Sequence, residues 1–132
     1  MPKRFLFPKA ERLKSRKQIE ALFTQGASVS VFPVRAVYQF APEEKSGVKA
    51  GVSVSKRYFK KAVDRNRIKR LMREAYRLQK EELVLKTKEA GLAGSVFFVY
   101  VDKTVADFET IKTAVGKCLQ RLSRTIYREN PS

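Results

Sequence analysis

Histidine is absent and cysteine occurs once, as Cys118. The commonest general base and the usual zinc ligands are therefore missing. Adjacent carboxylates occur at Glu43–Glu44, in a turn-like segment, and at Glu81–Glu82, near a helix end. Either pair reads more simply as solvated surface than as a magnesium site. No P-loop, GxGxxG motif, nucleophile elbow or Ser/His/Asp set is present. No catalytic residue and no protein-bound metal are expected. What the chain offers instead is a row of cations. Between Lys56 and Lys80, 11 of 25 residues are basic: Lys56, Arg57, Lys60, Lys61, Arg65, Arg67, Lys69, Arg70, Arg73, Arg77 and Lys80. Only Asp64 and Glu74 oppose them.

The periodicity of that stretch predicts a helix over about 61–86. Ile68, Leu71, Met72, Ala75 and Leu78 recur at three-and-four spacing and would form its apolar face. At about 100° per residue, Asn66, Lys69, Arg70, Arg73, Arg77 and Lys80 share the opposite arc, with Arg65 and Arg67 nearer its borders. A solvated helix usually mixes Glu with Lys in supportive pairs. Here the arc is almost purely positive, which favours a polyanionic partner.

Composition agrees. The chain has 132 residues, a formal net charge of +16 and a sequence pI near 10.3, yet 43% of its residues are hydrophobic. That suits one nucleic-acid-binding domain spanning 1–132 with a real core, not a disordered basic tail. No apolar run approaches a membrane span and no secretory h-region opens the sequence. A membrane partner is thus disfavoured, a cytoplasmic location is expected and no protein partner is evident. Lone Cys118, on a helical pattern, reads as a small core residue.

The elements that must position the cations follow from pattern. Residues 1–13 read as a basic, partly flexible arm, and Ser15 as the N-cap of a helix over 16–25 ending at Gly26. Within it Ile19, Leu22 and Phe23 give an apolar face. Period-two alternation predicts strands at 27–31, 34–40 and 48–55, with Ala41 to Gly47 as a turn. The small face of Gly51, Ser53 and Ser55 leaves room for something to lie close. After the basic helix come a loop near 90–94, an apolar strand at 95–101 and a last helix over 108–127 capped by Asp107. The tail 128–132 should fray. The order is α-β-β-β-α-β-α: an α+β two-layer sandwich, a four-stranded mixed sheet with helices on one side. The third and fourth strands, joined through the basic helix, should pair in parallel. Phe23, Tyr38 and Phe40 could stack unpaired bases.

At residues 52–77, VSVSKRYFKKAVDRNRIKRLMREAYR, the sequence resembles the protein component of bacterial ribonuclease P. Its hallmark is a helix bearing Arg-Asn-Arg, here Arg65-Asn66-Arg67, preceded by a strand of the type at Gly51 to Arg57 and followed by Ile68-Lys69-Arg70 and Arg73. Residues 7–26 share the family's basic lead-in, short helix and Gly. The resemblance implies that a large RNA subunit is the catalyst, using magnesium to remove the 5′ leader of precursor tRNA. The protein would be a non-catalytic part of that endoribonuclease. It implies a ribosomal-protein-like fold with a left-handed β-α-β crossover, an exception to the usual hand. Carried over by motif, Lys56, Arg57, Arg65, Asn66, Arg67, Lys69, Arg70 and Arg73 would face the catalytic RNA, and Lys60, Lys61 and Arg77 extend that basic surface. The single-stranded leader would lie between the first helix and the sheet, against Ile19, Phe23, Tyr38, Ser53 and Ser55, with Val37 as the alternative to Tyr38. Members often carry Phe where this chain has Ile19, and Arg-Lys where it has Asp102-Lys103. A ribosomal or ribosome-assembly RNA-binding protein of similar fold is the alternative reading.

Overall fold

The computed structural model describes residues 7–43 and 47–129. Its elements are α1 (Arg16–Gln25), β1 (Ala27–Val31), β2 (Val34–Pro42), β3 (Gly47–Val54), α2 (Ala62–Gln79), α3 (Glu81–Glu89), β4 (Leu92–Tyr100) and α4 (Phe108–Glu129). The strands form one mixed sheet in the order β1-β2-β4-β3. β1/β2 and β2/β4 are antiparallel, and β3/β4 is the expected parallel pair. The register sets Val37 opposite Phe97, and Gly51 opposite Phe97 on the other side.

Because side chains alternate along each strand, this register sorts the core into two clusters. Val34 and Ala36 of β2, Val48, Ala50 and Val54 of β3, and Val96, Phe98 and Tyr100 of β4 face α2, α3 and α4. There they meet Ile68, Met72, Ala75 and Tyr76 of α2, Leu83 of α3, and Ile111, Val115, Leu119 and Leu122 of α4. Burying such a side chain completely stabilises the fold by about 1.5–3 kcal/mol. Val37 and Phe97 point the other way, where Leu13 and Leu22 cover them and Ile19 and Val99 pack alongside. The placement of all helices on one side is therefore corrected for α1, which lies on the opposite face. The reason is in β4, whose Phe97 and Val99 make its second face apolar too and, with Val37 of β2 beside Phe97, need cover there.

Caps behave as the sequence predicts. The Gln18 backbone N–H donates to Ser15 Oγ at 3.3 Å, and that of Thr110 to Asp107 Oδ1 at 2.8 Å. Gly26 follows the last turn of α1, and a Cβ at that position would lie 2.6 Å from the Leu22 carbonyl oxygen and 2.8 Å from that of Tyr38, so no larger residue fits. Pro33 separates β1 from β2 and follows a cis peptide bond.

The basic segment departs from expectation: it is two helices, divided at Lys80. Gln79 Nε2 donates to the carbonyls of Ala75 and Lys112, both at 2.9 Å, and so ties the last turn of α2 to α4. Glu81 and Glu82 then open α3, where acidic side chains favour a helix start. Lys80 itself is not on an outer arc. It is 5% exposed, and its Nζ pairs with Glu11 Oε1 at 2.6 Å. Leu78, expected on the apolar face, is exposed, and Tyr76 occupies that face instead. β4 begins at Leu92 rather than Ser95, and the preceding turn is narrow, with Gly91 at φ +68°. The Ala41–Gly47 turn lies partly outside the described residues, and β2 continues to Pro42.

The arm is held from Phe7 onward. Leu13 N–H donates to the Ala50 carbonyl at 2.8 Å, giving the outer edge of β3 a short partner. Phe7 rests on Tyr76 with ring centroids 5.3 Å apart, and Arg12 and Lys80 lie over the Phe7 ring at 5.3 and 5.6 Å. Burial, and after it the Glu11 charge, pushes the Tyr76 phenol well above its ordinary range. Residues 1–6 of the expected flexible arm and 130–132 of the expected tail lie outside the described residues.

Candidate nucleic-acid interface

β3 ends at Val54 beside Tyr100 of β4, and the chain must then turn to enter α2. Arg57 N–H donates to Ser55 Oγ at 3.0 Å, and Phe59 N–H to the Ser55 carbonyl at 3.2 Å. Phe59 is buried and packs 5.9 Å from the Tyr100 ring. Arg65 then reaches back from α2, its Nη1 donating to the carbonyls of Phe59 at 2.7 Å and Lys60 at 2.8 Å. A planar guanidinium suits such a bridge. The first Arg of Arg65-Asn66-Arg67 is thus a clamp on the loop that carries Lys56, Arg57, Lys60 and Lys61, all four of which are exposed. Through those bonds it holds the loop, and with it the four cations, in place.

Beyond the clamp, Asn66, Arg67, Arg70 and Arg73 are exposed along α2, and Lys69 and Arg77 are half-buried. Asn66, Arg70, Arg73 and Arg77 follow one another at helical spacing and make one stripe. The stripe is not wholly free: Arg77 is ion-paired with Glu74, its Nε donating to Glu74 Oε2 at 3.1 Å. Hydrogen bonding from Arg77 holds the Glu74 carboxyl below its ordinary range. Arg77 rises correspondingly, the Glu74 hydrogen bond being the larger cause. Arg73 moves down, first by partial burial and then through the nearby charge of Arg12.

Two cations at this surface were not singled out from the sequence. Arg12 is brought to α2 by the folded arm. Lys103 lies 5.6 Å over the Tyr58 ring, joining the loop after β4 to the loop after β3. Asp102, the residue that departs from the family pattern, accepts from Thr104 N–H at 3.2 Å and so shapes that loop. The parallel pairing of β3 with β4, which puts both strand ends together, was the signal for Lys103.

The second candidate surface is the α1 face. Ile19 is half-buried there, and Phe23 is 45% exposed while resting edge-on against Phe97 at 5.5 Å. The small face of β3 does accommodate a close neighbour, namely Phe97 itself. A Cβ at Gly51 would lie 2.7 Å from its ring and 3.0 Å from the Leu13 carbonyl oxygen. Ser53, opposite Val99, shares this face, whereas the Ser55 hydroxyl is taken up by the Arg57 turn. Tyr38 is a correction. Its register partner, Val96, belongs to the α4-facing core, and Tyr38 packs there beside Phe40 at 6.0 Å. Strand alternation gives the α1 face Val37 instead. Ile19, Phe23, Val37 and Ser53 are therefore together and Tyr38 is not among them. A depression of about 590 Å³ continues this face past Gln18, Gln39, Lys49 and Ser95. Glu11 and Glu43 also line it, so its charge suits phosphate less well than α2 does.

Among the described residues no group of three or more acidic or Cys side chains converges as for a metal ion. None of the described helices is long and apolar enough to cross a membrane. Cys118 is buried in the core beneath β1, and burial raises its thiol to about 11. An interior thiol held protonated is inert.

Residues 7–123 match the family model described as Ribonuclease P. The ribonuclease P protein component of Porphyromonas gingivalis is 37% identical over 95% of this chain and 92% of its own length. That of Chlorobium phaeobacteroides is 30% identical over 86% of each chain. Among solved structures, the RNase P protein of Staphylococcus aureus superposes with a TM-score of 0.64 at 23% identity, covering 86% of this chain and 95% of that one. The Thermotoga maritima RNase P protein gives 0.65 at 22%, covering 84% and 96%. These likenesses carry the four-stranded α+β fold, and the sequence relatives carry the family. With a clamped basic loop running into an Arg-Asn-Arg helix, and relatives of that name matching over nearly its whole length, the chain belongs to the ribonuclease P protein family.

Proposed function

We propose that this protein is the RNA-binding subunit of a ribonuclease P ribonucleoprotein and promotes 5′ maturation of precursor tRNA without supplying catalytic side chains. The observation that carries this reading is the exposed part of the α2 stripe, Asn66, Arg70 and Arg73, with exposed Arg67 beside it, continuous with the loop that Arg65 clamps. Its chemistry is phosphate neutralisation, which lowers repulsion between two RNAs. The catalytic RNA docks on that stripe, and magnesium acts through the RNA. The single-stranded 5′ leader lies on the α1 face against Ile19, Phe23 and Ser53, above buried Val37, and Phe23 offers an open ring for a base. Such a protein works in the cytoplasm, beside its RNA.

Cleavage of a precursor tRNA by a bacterial ribonuclease P RNA, with and without the protein at low magnesium and salt, tests this reading. Activity is expected only with both components, and an Arg67→Ala/Arg70→Ala/Arg73→Ala variant should lose the stimulation. Unchanged cleavage on adding the protein would overturn the reading, and cleavage by protein freed of RNA would move catalysis onto the chain.

A further inference from the structure

The outer edge of the sheet at β1 carries a second basic surface that neither α2 nor the α1 face includes. From Thr110 to Arg128 the sequence contains no carboxylate. Lys117, Arg121 and Arg124 of α4 stand at i, i+4 and i+7 and are all exposed. At 1.5 Å per residue they span roughly 10 Å of helix. Among the described residues none of the three has an acidic partner, in contrast to Arg77, Lys80 and Lys86 on α2 and α3. Arg121 is also fixed: its Nη1 donates to the Ser30 carbonyl of β1 at 3.3 Å, which holds the guanidinium over the groove.

That groove, of about 310 Å³, runs between α4 and β1/β2 and is floored by Tyr38, Val29 and Leu122, with Arg121 and Arg124 at its rim. Tyr38 is half-exposed, braced by Phe40 and backed by the core. The bracing has a cause in the sequence: Gly94 lets the Phe40 ring lie where a Cβ would be, 2.2 Å away. Further along the same edge, Lys117 shares a second depression with Phe32, which is 69% exposed. Asp107 and Glu109 close the far end of that depression, so the positive stretch is bounded there. Cations in a row beside upright aromatic rings are how proteins hold unpaired nucleic acid, with phosphates on the cations and bases on the rings.

We propose that the α4–β1 edge is a second single-stranded RNA site, with Lys117, Arg121 and Arg124 holding successive phosphates and Tyr38 stacking one base. The proposal rests on the reading that the protein works on RNA, but its surface is separate: α4 packs over β1 and β2, whereas α2 packs over β3. The protein thus binds unpaired RNA at this edge while α2 is occupied.

Titrating the ¹⁵N-labelled full chain with a 12-nucleotide oligouridylate tests this. Saturable amide shifts are expected at Tyr38 and residues 121–125. They should vanish in Lys117→Gln/Arg121→Gln/Arg124→Gln and persist in Arg70→Ala/Arg73→Ala. The salt slope for this site should fall by about 2 in the triple variant, at ~0.7 per cation on a single strand. Because Arg121 also braces β1, Arg124→Glu alone, with an unchanged melting curve, should weaken binding at the edge at least about fivefold. Shifts confined to α1 and α2, or a triple variant with unchanged slope, would overturn the proposal and leave the ribonuclease P reading standing. Equal affinity for polyglutamate would overturn the assignment to RNA. Edge binding in a protein that fails to stimulate the catalytic RNA would sustain this site and sink that reading.

Discussion

Helix α2 lays Ile68, Met72, Ala75 and Tyr76 on one face of the sheet and turns Arg67, Arg70 and Arg73 outward. On the other face α1 buries Leu22 and leaves Phe23 open against Phe97. In the function proposed, the first surface acts by charge, which reaches over several ångströms and tolerates small changes in side-chain position. The second would act by ring and strand contact, which depends on register: one residue of slip would exchange Val37 for Tyr38. A charged surface is therefore robust in shape and sensitive to salt, and the α1 face should show the reverse.

The largest expected effect falls on the charged side. Arg70→Ala/Arg73→Ala should weaken binding to ribonuclease P RNA by about 10- to 100-fold at low salt, the scale of lost charge-assisted hydrogen bonds. The salt slope should drop by about 2, and the melting temperature should not move, because both side chains are exposed. Filter binding across a salt series checks this. A loss of affinity without a change in slope would mean these residues shape α2 rather than meet phosphates. Arg65 sharpens the contrast. Arg65→Lys keeps the charge but cannot bridge the Phe59 and Lys60 carbonyls in the same way, so stability should fall by about 1 kcal/mol.

Glu11→Ala comes next and tests the link between the faces, since the arm runs from α2 across the β3 edge to the α1 side. It would leave Lys80 buried without that carboxylate. Fully buried pairs cost about 3–5 kcal/mol when one partner is removed. Glu11 is partly solvated, so about 2 kcal/mol is expected, read by urea denaturation. A change within experimental scatter would show that the Glu11–Lys80 pair adds nothing to the fold and that Leu13 and Phe7 alone hold the arm.

Phe23→Ala acts on the α1 face. Losing one stacking surface should cost about 5- to 10-fold in affinity for precursor tRNA bearing a leader, with little effect on leaderless substrate and little dependence on salt. Tyr38→Ala, on the other face, should not discriminate between the two substrates. If the two variants behaved alike, the separation of faces would be wrong.

How far each surface could be read in the sequence follows from the same contrast. The α2 stripe was legible because a helix repeats every three or four residues and its charges are local. The helix was drawn too long because Lys80 carries the same charge as its neighbours, and only its distant partner Glu11 reveals that it is interior. The parallel pairing of β3 with β4 is legible from the alternation of the first, the apolar run of the second and the helix that joins them. The position of α1 was not, because a short helix with a weak apolar face does not say which side of the sheet it covers. That required knowing that Val37, Phe97 and Val99 form an apolar patch on the second face of the sheet. Arg12 and Lys103 were hidden for a related reason: each reaches the basic surface through a fold contact, Arg12 by the arm and Lys103 by the pairing of β3 with β4.

Glu74 carries the smallest effect and tests charge on α2 without removing a cation. At neutral pH its carboxylate partly offsets the stripe through Arg77. Glu74→Gln should tighten RNA binding about two- to fivefold at low salt and leave it unchanged at high salt, where exposed charges are screened. The pH dependence has a definite sign. Because the hydrogen bond from Arg77 depresses the folded-state pKa of Glu74, the pair's contribution is present above the ordinary Glu pKa. It is lost as pH falls through the depressed value. Wild type should therefore be slightly more stable than Glu74→Gln at pH 7, and the two should converge in acid once pH has fallen below the depressed value. A gap that persisted in acid would assign the effect to packing of the Glu74 stem. Tighter RNA binding that survived high salt would likewise remove electrostatics as its cause.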